Sequence, residues 1–304
     1  MLEVFKQLLV LYVFLFIGWV FGKKKKALSS HSELISFLLV NLFLPAKVFL
    51  SFSKNFTVSY FTERATTVIF SLSMLLMLVA VAIPISKLFS KDRHDQNVYR
   101  YSMTLSNYAY LGYVLIEDVF GTSGLTNLIL FCIPFAIYTY SFGYSMLTGK
   151  EKSLKKLLNP MMIAIALGMV VGLSGIKTPA VATKVLDISS SCVGPLSMIL
   201  TGLTISSFPL KELVNDKKTY VFAAVRLILI PLAVFGAFAL LERFITVDPS
   251  IRISALFVAC MPCGLNPIVF PKLTGQDCTL GARLAFITHL FSAITLPIWL
   301  SIFI

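Results

Sequence analysis

Acidic side chains are scarce in this chain. Only 14 Asp and Glu stand among 304 residues, and each falls in a loop or toward the end of an apolar run, with Glu117, Asp118 and Asp187 closest to a run's interior. Hard cations at membrane depth need anionic oxygen ligands, so a sodium site built on a buried carboxylate pair is excluded. There is no His-Glu-x-x-His and no Gly-x-Ser-x-Gly, so neither a metalloprotease nor a serine hydrolase is indicated. The five cysteines are Cys132, Cys192, Cys260, Cys263 and Cys278. Cys260-Met261-Pro262-Cys263 has CxxC spacing but no second pair or neighbouring His, the context a zinc or thioredoxin-like site needs, so the thiols read as packing groups. No catalytic residue, metal or cofactor is expected, and no polar stretch is long enough for a soluble domain.

Apolar surface is what the chain has in abundance. Hydrophobic residues make up 57% of it and the mean hydropathy is +0.87, which makes it an all-α polytopic membrane protein. Runs of about 17 to 25 mainly apolar residues predict ten spans, near 3–22, 34–53, 65–87, 100–121, 125–147, 160–175, 186–206, 219–241, 251–271 and 283–303. The first reads as a retained span rather than a cleaved signal, because its basic cluster, Lys23 to Lys26, follows the apolar run instead of preceding it.

Positive charge sets the orientation, since cytoplasmic loops retain Lys and Arg. With Lys23 to Lys26 assigned to the cytoplasm, 17 of the 26 basic residues fall on that side, 7 opposite, and Lys47 and Arg226 within spans. Both termini are therefore expected outside the cytoplasm, in a cell (plasma) membrane. The net charge of +12 is mostly this topology signal and calls for no nucleic-acid partner.

Proline landmarks recur in order across the halves: Pro45 with Pro195, Pro84 with Pro231, a break at Asn107 with one at Pro262, and Pro134 with Pro297. Five spans per half invert the second copy relative to the first, the inverted-repeat pattern of secondary transporters. The expected organisation is a first repeat over 1–149, a cytoplasmic linker over 150–158 and an inverted second repeat over 159–304.

Two spans carry helix breakers near their midpoints, Asn107-Tyr108-Ala109-Tyr110-Leu111-Gly112 and Pro262-Cys263-Gly264-Leu265-Asn266-Pro267. Unwound chain at membrane depth is tolerated only where protein or a watery cavity surrounds it. Asn266 is a favoured N-cap type and Pro267 suits a first helical position, so a half-helix is expected to start there. Another is expected near Leu111 and Gly112, where glycine lets the backbone leave helical geometry. Unpaired N–H groups and the positive end of each helix dipole would then face the crossing, which suits a carboxylate. Asn107 and Asn266 are the leading candidates, with Tyr108, Tyr110, Gly112, Cys263 and Gly264 placed by proximity.

From the second span, Asn41 is a further candidate. Two readings of Lys47 are open: a cation that pairs with an anionic substrate, or a side chain that snorkels to the outer interface. Asn41 and Lys47 point roughly 120° apart on an ideal helix, so both reach the crossing only if Pro45 bends the span. Arg226 reads as snorkelling from the cytoplasmic end of the eighth span. His289 and Lys47 are the candidates for proton coupling, His289 because imidazole changes charge near neutral pH.

In order and span placement, Asn41-Leu42-Phe43-Leu44-Pro45, Asn107 to Gly112 followed by Phe120-Gly121, Asn159-Pro160, Gly194-Pro195-Leu196, and Gly275-Gln276-Asp277 leading to Thr295-Leu296-Pro297 resemble the auxin efflux carrier family. The resemblance covers nearly the whole chain. It implies ten helices with crossing, interrupted fourth and ninth helices, in a sodium/proton antiporter-like and bile-acid-symporter-like architecture. It further implies alternating access between a scaffold and a transport domain, a small organic anion such as malate or malonate as substrate, and a homodimer as a compatible assembly. Lys47 departs from the apolar residue common there and inherits no role. A membrane sensor or channel built on the same fold is the alternative function.

Overall fold

Helix geometry leaves no backbone group unpaired along an apolar run, which is why such runs become helices in a bilayer. The structure, a computed structural model, describes residues 2–24, 32–151 and 157–303. Lys25 and Lys26 of the basic cluster and residues 152–156 of the expected linker lie outside them. In order come α1 (Leu2–Lys24), α2 (Ser32–Asn55), α3 (Val58–Arg64), α4 (Thr67–Phe89), α5 (Arg93–Thr104), α6 (Tyr108–Thr148), α7 (Pro160–Ser174), α8 (Ala180–Ser206), α9 (Leu210–Val214), α10 (Lys217–Leu241), α11 (Pro249–Cys260), α12 (Asn266–Lys272) and α13 (Thr279–Phe303).

Seven of these runs are long and apolar enough to cross a membrane, and α7 and α11 are shorter apolar helices. The expected boundary between the fourth and fifth spans falls where α6 is interrupted: Gly121, with φ of 68° and ψ of −171°, leaves helical geometry for a region only glycine enters cheaply, and two helices meet there across a kink. Short polar side chains fix several ends. Asn159 Oδ1 accepts from Met162 N–H at 3.1 Å, and Asp92 Oδ1 accepts from Asp95 N–H at 2.9 Å. Asp277, in the loop before α13, accepts from both the hydroxyl (2.6 Å) and the N–H (2.9 Å) of Thr279. The Thr279 hydroxyl above all holds the Asp277 carboxyl below the usual carboxylate range.

Two sets of helices pack side by side. In one, α1 lies along α8 and α2 along α7. Backbones nearly touch there: a Cβ on Gly18 would meet the main chain of Ile199, and one on Gly202 the main chain of Leu15 and Trp19. Gly168 and Gly172 admit Phe49 and Phe52 of α2, and Phe56 just past its end, in the same way. In the other set, α4 packs on α5 and α6, while α10 packs on α11 and α13. Between the sets run side-chain hydrogen bonds, among them Ser51 with Thr126 (2.7 Å), Tyr12 with Ser292 (2.5 Å) and Ser197 Oγ donating to Tyr110 O (3.2 Å), and from α3, which follows α2, Tyr60 donates to Asn127 (2.5 Å).

Candidate functional site

The two interruptions, between α5 and α6 and between α11 and α12, meet each other. Ser106 and Cys263 form an isolated antiparallel bridge, and Asn107 N–H donates to Pro262 O at 2.8 Å. Unwound peptide groups in an apolar interior need partners, and each break supplies the other's. Thr288 of α13 helps, its hydroxyl oxygen accepting from Cys263 N–H at 3.1 Å while donating to Leu284 O at 2.6 Å.

Neither asparagine caps the helix that follows it. α12 begins at Asn266 itself, with Leu265 in the cap position and no side-chain cap bond. The Asn266 side chain instead reaches across the crossing and donates from Nδ2 to Tyr101 Oη at 2.7 Å. Asn107 Nδ2 lies 3.0 Å from His289 Nε2. His289 Nδ1 is 2.8 Å from the Ala285 carbonyl, which only accepts, so Nδ1 holds the proton and Nε2 accepts from Asn107. His289 is thus buried and satisfied on both nitrogens, one of them by a residue of the crossing.

The helix after the first break starts at Tyr108, earlier than the expected Leu111 or Gly112. Asn107 O accepts from both Leu111 N–H (3.1 Å) and Gly112 N–H (3.2 Å), which closes a π-helical turn over Tyr108–Gly112. Gly112 itself is helical, φ −65° and ψ −44°. A Cβ there would make only ordinary contact, 3.5 Å from the Met261 side chain, so neither backbone conformation nor packing requires glycine at this position.

A cavity of about 70 Å³ opens beside the bridge, room for roughly five waters or one small molecule. Asn107, Tyr108, Tyr110, Gly264 and Asn266 line it, all expected from sequence. Tyr101, Thr139 and Tyr140 line it too and were not expected. Tyr101 stands too far before the break for proximity to find it. Thr139-Tyr140-Ser141, by contrast, is a polar interruption of an apolar run and was a readable signal. Cys263 sits behind the lining, buried, with Sγ 3.8 Å from Ser102 O; all five cysteines are free.

The two candidates from α2 lie elsewhere. Asn41 is exposed, bonds Phe37 O at 2.8 Å and faces a separate cleft with Leu200, Ile268 and Lys272. Lys47 is 3% exposed and forms an ion pair with Glu117 of α6, which is 26% exposed. Lys47 thus neither lines the cavity nor ends in open solvent; its charge is met by a carboxylate of this chain. A π-helical turn, Leu39–Phe43, offsets the helical register between the two residues.

Arg226 is also inward, at 1% exposure, where the sequence reading has it snorkelling. It lies in a π-helical turn, Val225–Leu229. The turn precedes Pro231, which offers no N–H to Leu227 O; the Trp299 indole donates to that carbonyl at 2.8 Å instead. Arg226 Nη2 donates to Val258 O at 3.0 Å, while Nε and Nη1 have no partner among the described residues. Placing such a charge at membrane centre costs ~2.5 to 3.5 kcal/mol. Hydroxyl, amide and aromatic groups line the cavity, without a carboxylate among them.

Comparison with known proteins places this geometry in context. A family model described as membrane transport protein matches residues 3–157 and 149–300. An uncharacterized transporter of Methanocaldococcus jannaschii is 26% identical over 307 residues, covering 96% of each chain. An uncharacterized transporter of Methanothermobacter thermautotrophicus is 26% identical over 201 residues, 64% of each chain. The plastidal glycolate/glycerate translocator 1 of Arabidopsis thaliana is 24% identical over 201 residues, which are 61% of this chain and 37% of that protein. With the family model matched across nearly its whole length, this multi-pass chain belongs to the membrane transport protein family, that of the auxin efflux carriers.

Proposed function

We propose that the protein is a secondary transporter of small carboxylates that binds its substrate in the cavity at the crossing and works by alternating access. The observation that carries this reading is the cavity itself: two unwound segments bridged at Ser106 and Cys263, flanked by neutral donors from Asn266, Tyr101 and Tyr108, with no acid in the lining. The first-turn N–H groups of α6 have no intrahelical acceptor and add positive potential at the same place. That a relative is named for glycolate and glycerate, both small hydroxycarboxylates, supports the same ligand class.

The reading takes ten spans in two inverted repeats, 1–149 and 159–304. α5 with the first part of α6 forms the fourth span, and α11 with α12 forms the ninth. The glycine-welded set α1, α2, α7 and α8 serves as scaffold, and the other set moves with the crossing. Tyr101, Thr139 and Met161 line the cavity on the side that the basic residues assign to the cytoplasm. On the opposite side the sets are latched by Lys47 with Glu117, Ser51 with Thr126 and Tyr60 with Asn127. This arrangement fits an inward-facing state. Both termini lie outside the cytoplasm of a plasma membrane.

The test is uptake of labelled glycolate, malate and malonate into proteoliposomes holding the purified protein. Saturable flux of at least one, competed by the others, is the expected result. Absence of flux for all three, with monodisperse protein, would overturn the reading in favour of a sensor; conductance without saturation would favour a channel.

A further inference from the structure

Arg226 is a buried cation whose position the transport reading leaves unused. A buried guanidinium lacking an acidic partner is costly to keep, and Arg226 is fully buried with two nitrogens unpartnered among the described residues. Its Nη2 donates to Val258 O, two residues before the end of α11 at Cys260. The last carbonyls of a helix lack intrahelical donors and carry the negative end of its dipole. One of them is met by Met261 N–H, which donates to Phe257 O at 3.3 Å. Arg226 therefore places a full positive charge against the negative end of the helix that leads into the crossing.

The opposing broken helix shows that a charge is more than such an end requires. α5 ends at Thr104, and there Leu105 N–H donates to Tyr101 O at 2.8 Å while the Cys263 thiol lies 3.8 Å from Ser102 O. Neutral groups suffice at that end. A guanidinium at the other end adds what neutral groups do not, a net charge that the half-charge of a helix terminus only partly offsets. Lys47, the other cation within a span, is neutralised by Glu117. Among the described residues no acid pairs with Arg226, whose side chain bonds only Val258 O, and none lines the cavity.

We infer that Arg226 is a specificity-determining charge: it fixes a positive potential at the crossing through the end of α11 and so selects anionic over neutral or cationic ligands without touching them. The inference rests on the crossing being the binding site and deepens that reading. It assigns anion selectivity to a residue on α10 outside the cavity wall. In this role the lack of an acidic partner among the described residues is what leaves the charge uncancelled.

The test reads the potential separately from transport. A cysteine introduced at Ala109, which lines the cavity, is modified in the full-length protein by a sulfonate-bearing and by a trimethylammonium-bearing methanethiosulfonate, with the protein lacking that cysteine as background. The sulfonate reagent should react preferentially. Arg226→Gln, which keeps donors but removes the charge, should lower the preference by about threefold or more, while Arg226→Lys should retain it. In proteoliposomes Arg226→Gln should raise the KM for malonate about tenfold with a smaller change in kcat. Monodisperse elution of each variant checks folding. A sulfonate preference unchanged in Arg226→Gln overturns the inference, and so does its loss in Arg226→Lys as well. If the parent moves no carboxylate but the preference still falls in Arg226→Gln, the transport reading fails and the charge assignment stands.

Discussion

Asn266 and Tyr101 join the two broken helices through one hydrogen bond, and Asn107 joins the first break to α13 through His289. Asn266→Ala removes a part-buried hydrogen bond and Asn107→Ala a buried one, each worth about 0.5 to 1.5 kcal/mol, too little to unfold the chain. Transport of whichever carboxylate proves to be the substrate should nonetheless fall at least tenfold in each, because the same atoms shape the cavity; parent-like flux in both would remove the crossing as the site. The ion pair of Lys47 and Glu117 yields a second expectation, with an asymmetry set by burial. Glu117→Gln strands an ammonium that is 3% exposed, whereas Lys47→Met strands a carboxylate that is 26% exposed and can hydrate. Thermal unfolding in detergent should show Glu117→Gln the more destabilised, by on the order of 3 kcal/mol, and equal losses would contradict the partner assignment. Lys47 also marks the limit of sequence reading at this scale. Its place inside an apolar run was legible; its partner, seventy positions away, was not, because nothing in the local pattern of α2 distinguishes a cation that meets a carboxylate from one that meets a ligand.

The interruptions themselves were legible at the scale of elements, since Asn, Gly and Pro inside apolar runs have few other uses. Where each new helix begins was not. That depends on which carbonyl first accepts, and Asn107 O accepts twice to form a π-helical turn while Asn266 turns its side chain to Tyr101 instead of its own helix. The kink in α6 coincides with the expected end of the fourth span at residue 121; that the two helices meet across one glycine, with no loop between them, was not legible. Because Gly121 sits at φ 68° and ψ −171°, Gly121→Ala should destabilise the protein by about 1 to 3 kcal/mol, although no atom lies within 4 Å of the added Cβ. A midpoint of unfolding that does not move would show that the kink relaxes without strain.

For the molecule as a whole, the membrane class and the meeting of the two breaks follow from composition and proline order. The grouping of helices into two sets does not, because it rests on glycine contacts between distant segments. The charge asymmetry predicts that a cysteine at Ser250 is modified by an impermeant reagent from outside intact cells and one at Glu151 is not; the reverse pattern would invert the topology. The scarcity of acids predicts that carboxylate uptake persists when choline replaces sodium at fixed pH and potential. A saturable sodium requirement would instead demand a site made of backbone carbonyls at the breaks. A different consequence belongs to the seams where Gly18 and Gly202 bring α1 and α8 together, and Gly168 and Gly172 bring α7 onto α2. Main chain against main chain has no rotamers to exchange, so these joints have one arrangement and gain no entropy by loosening. Distances measured across them should be the same in every state of the transport cycle, which makes the four helices the coordinate frame in which the displacement of all the others can be read.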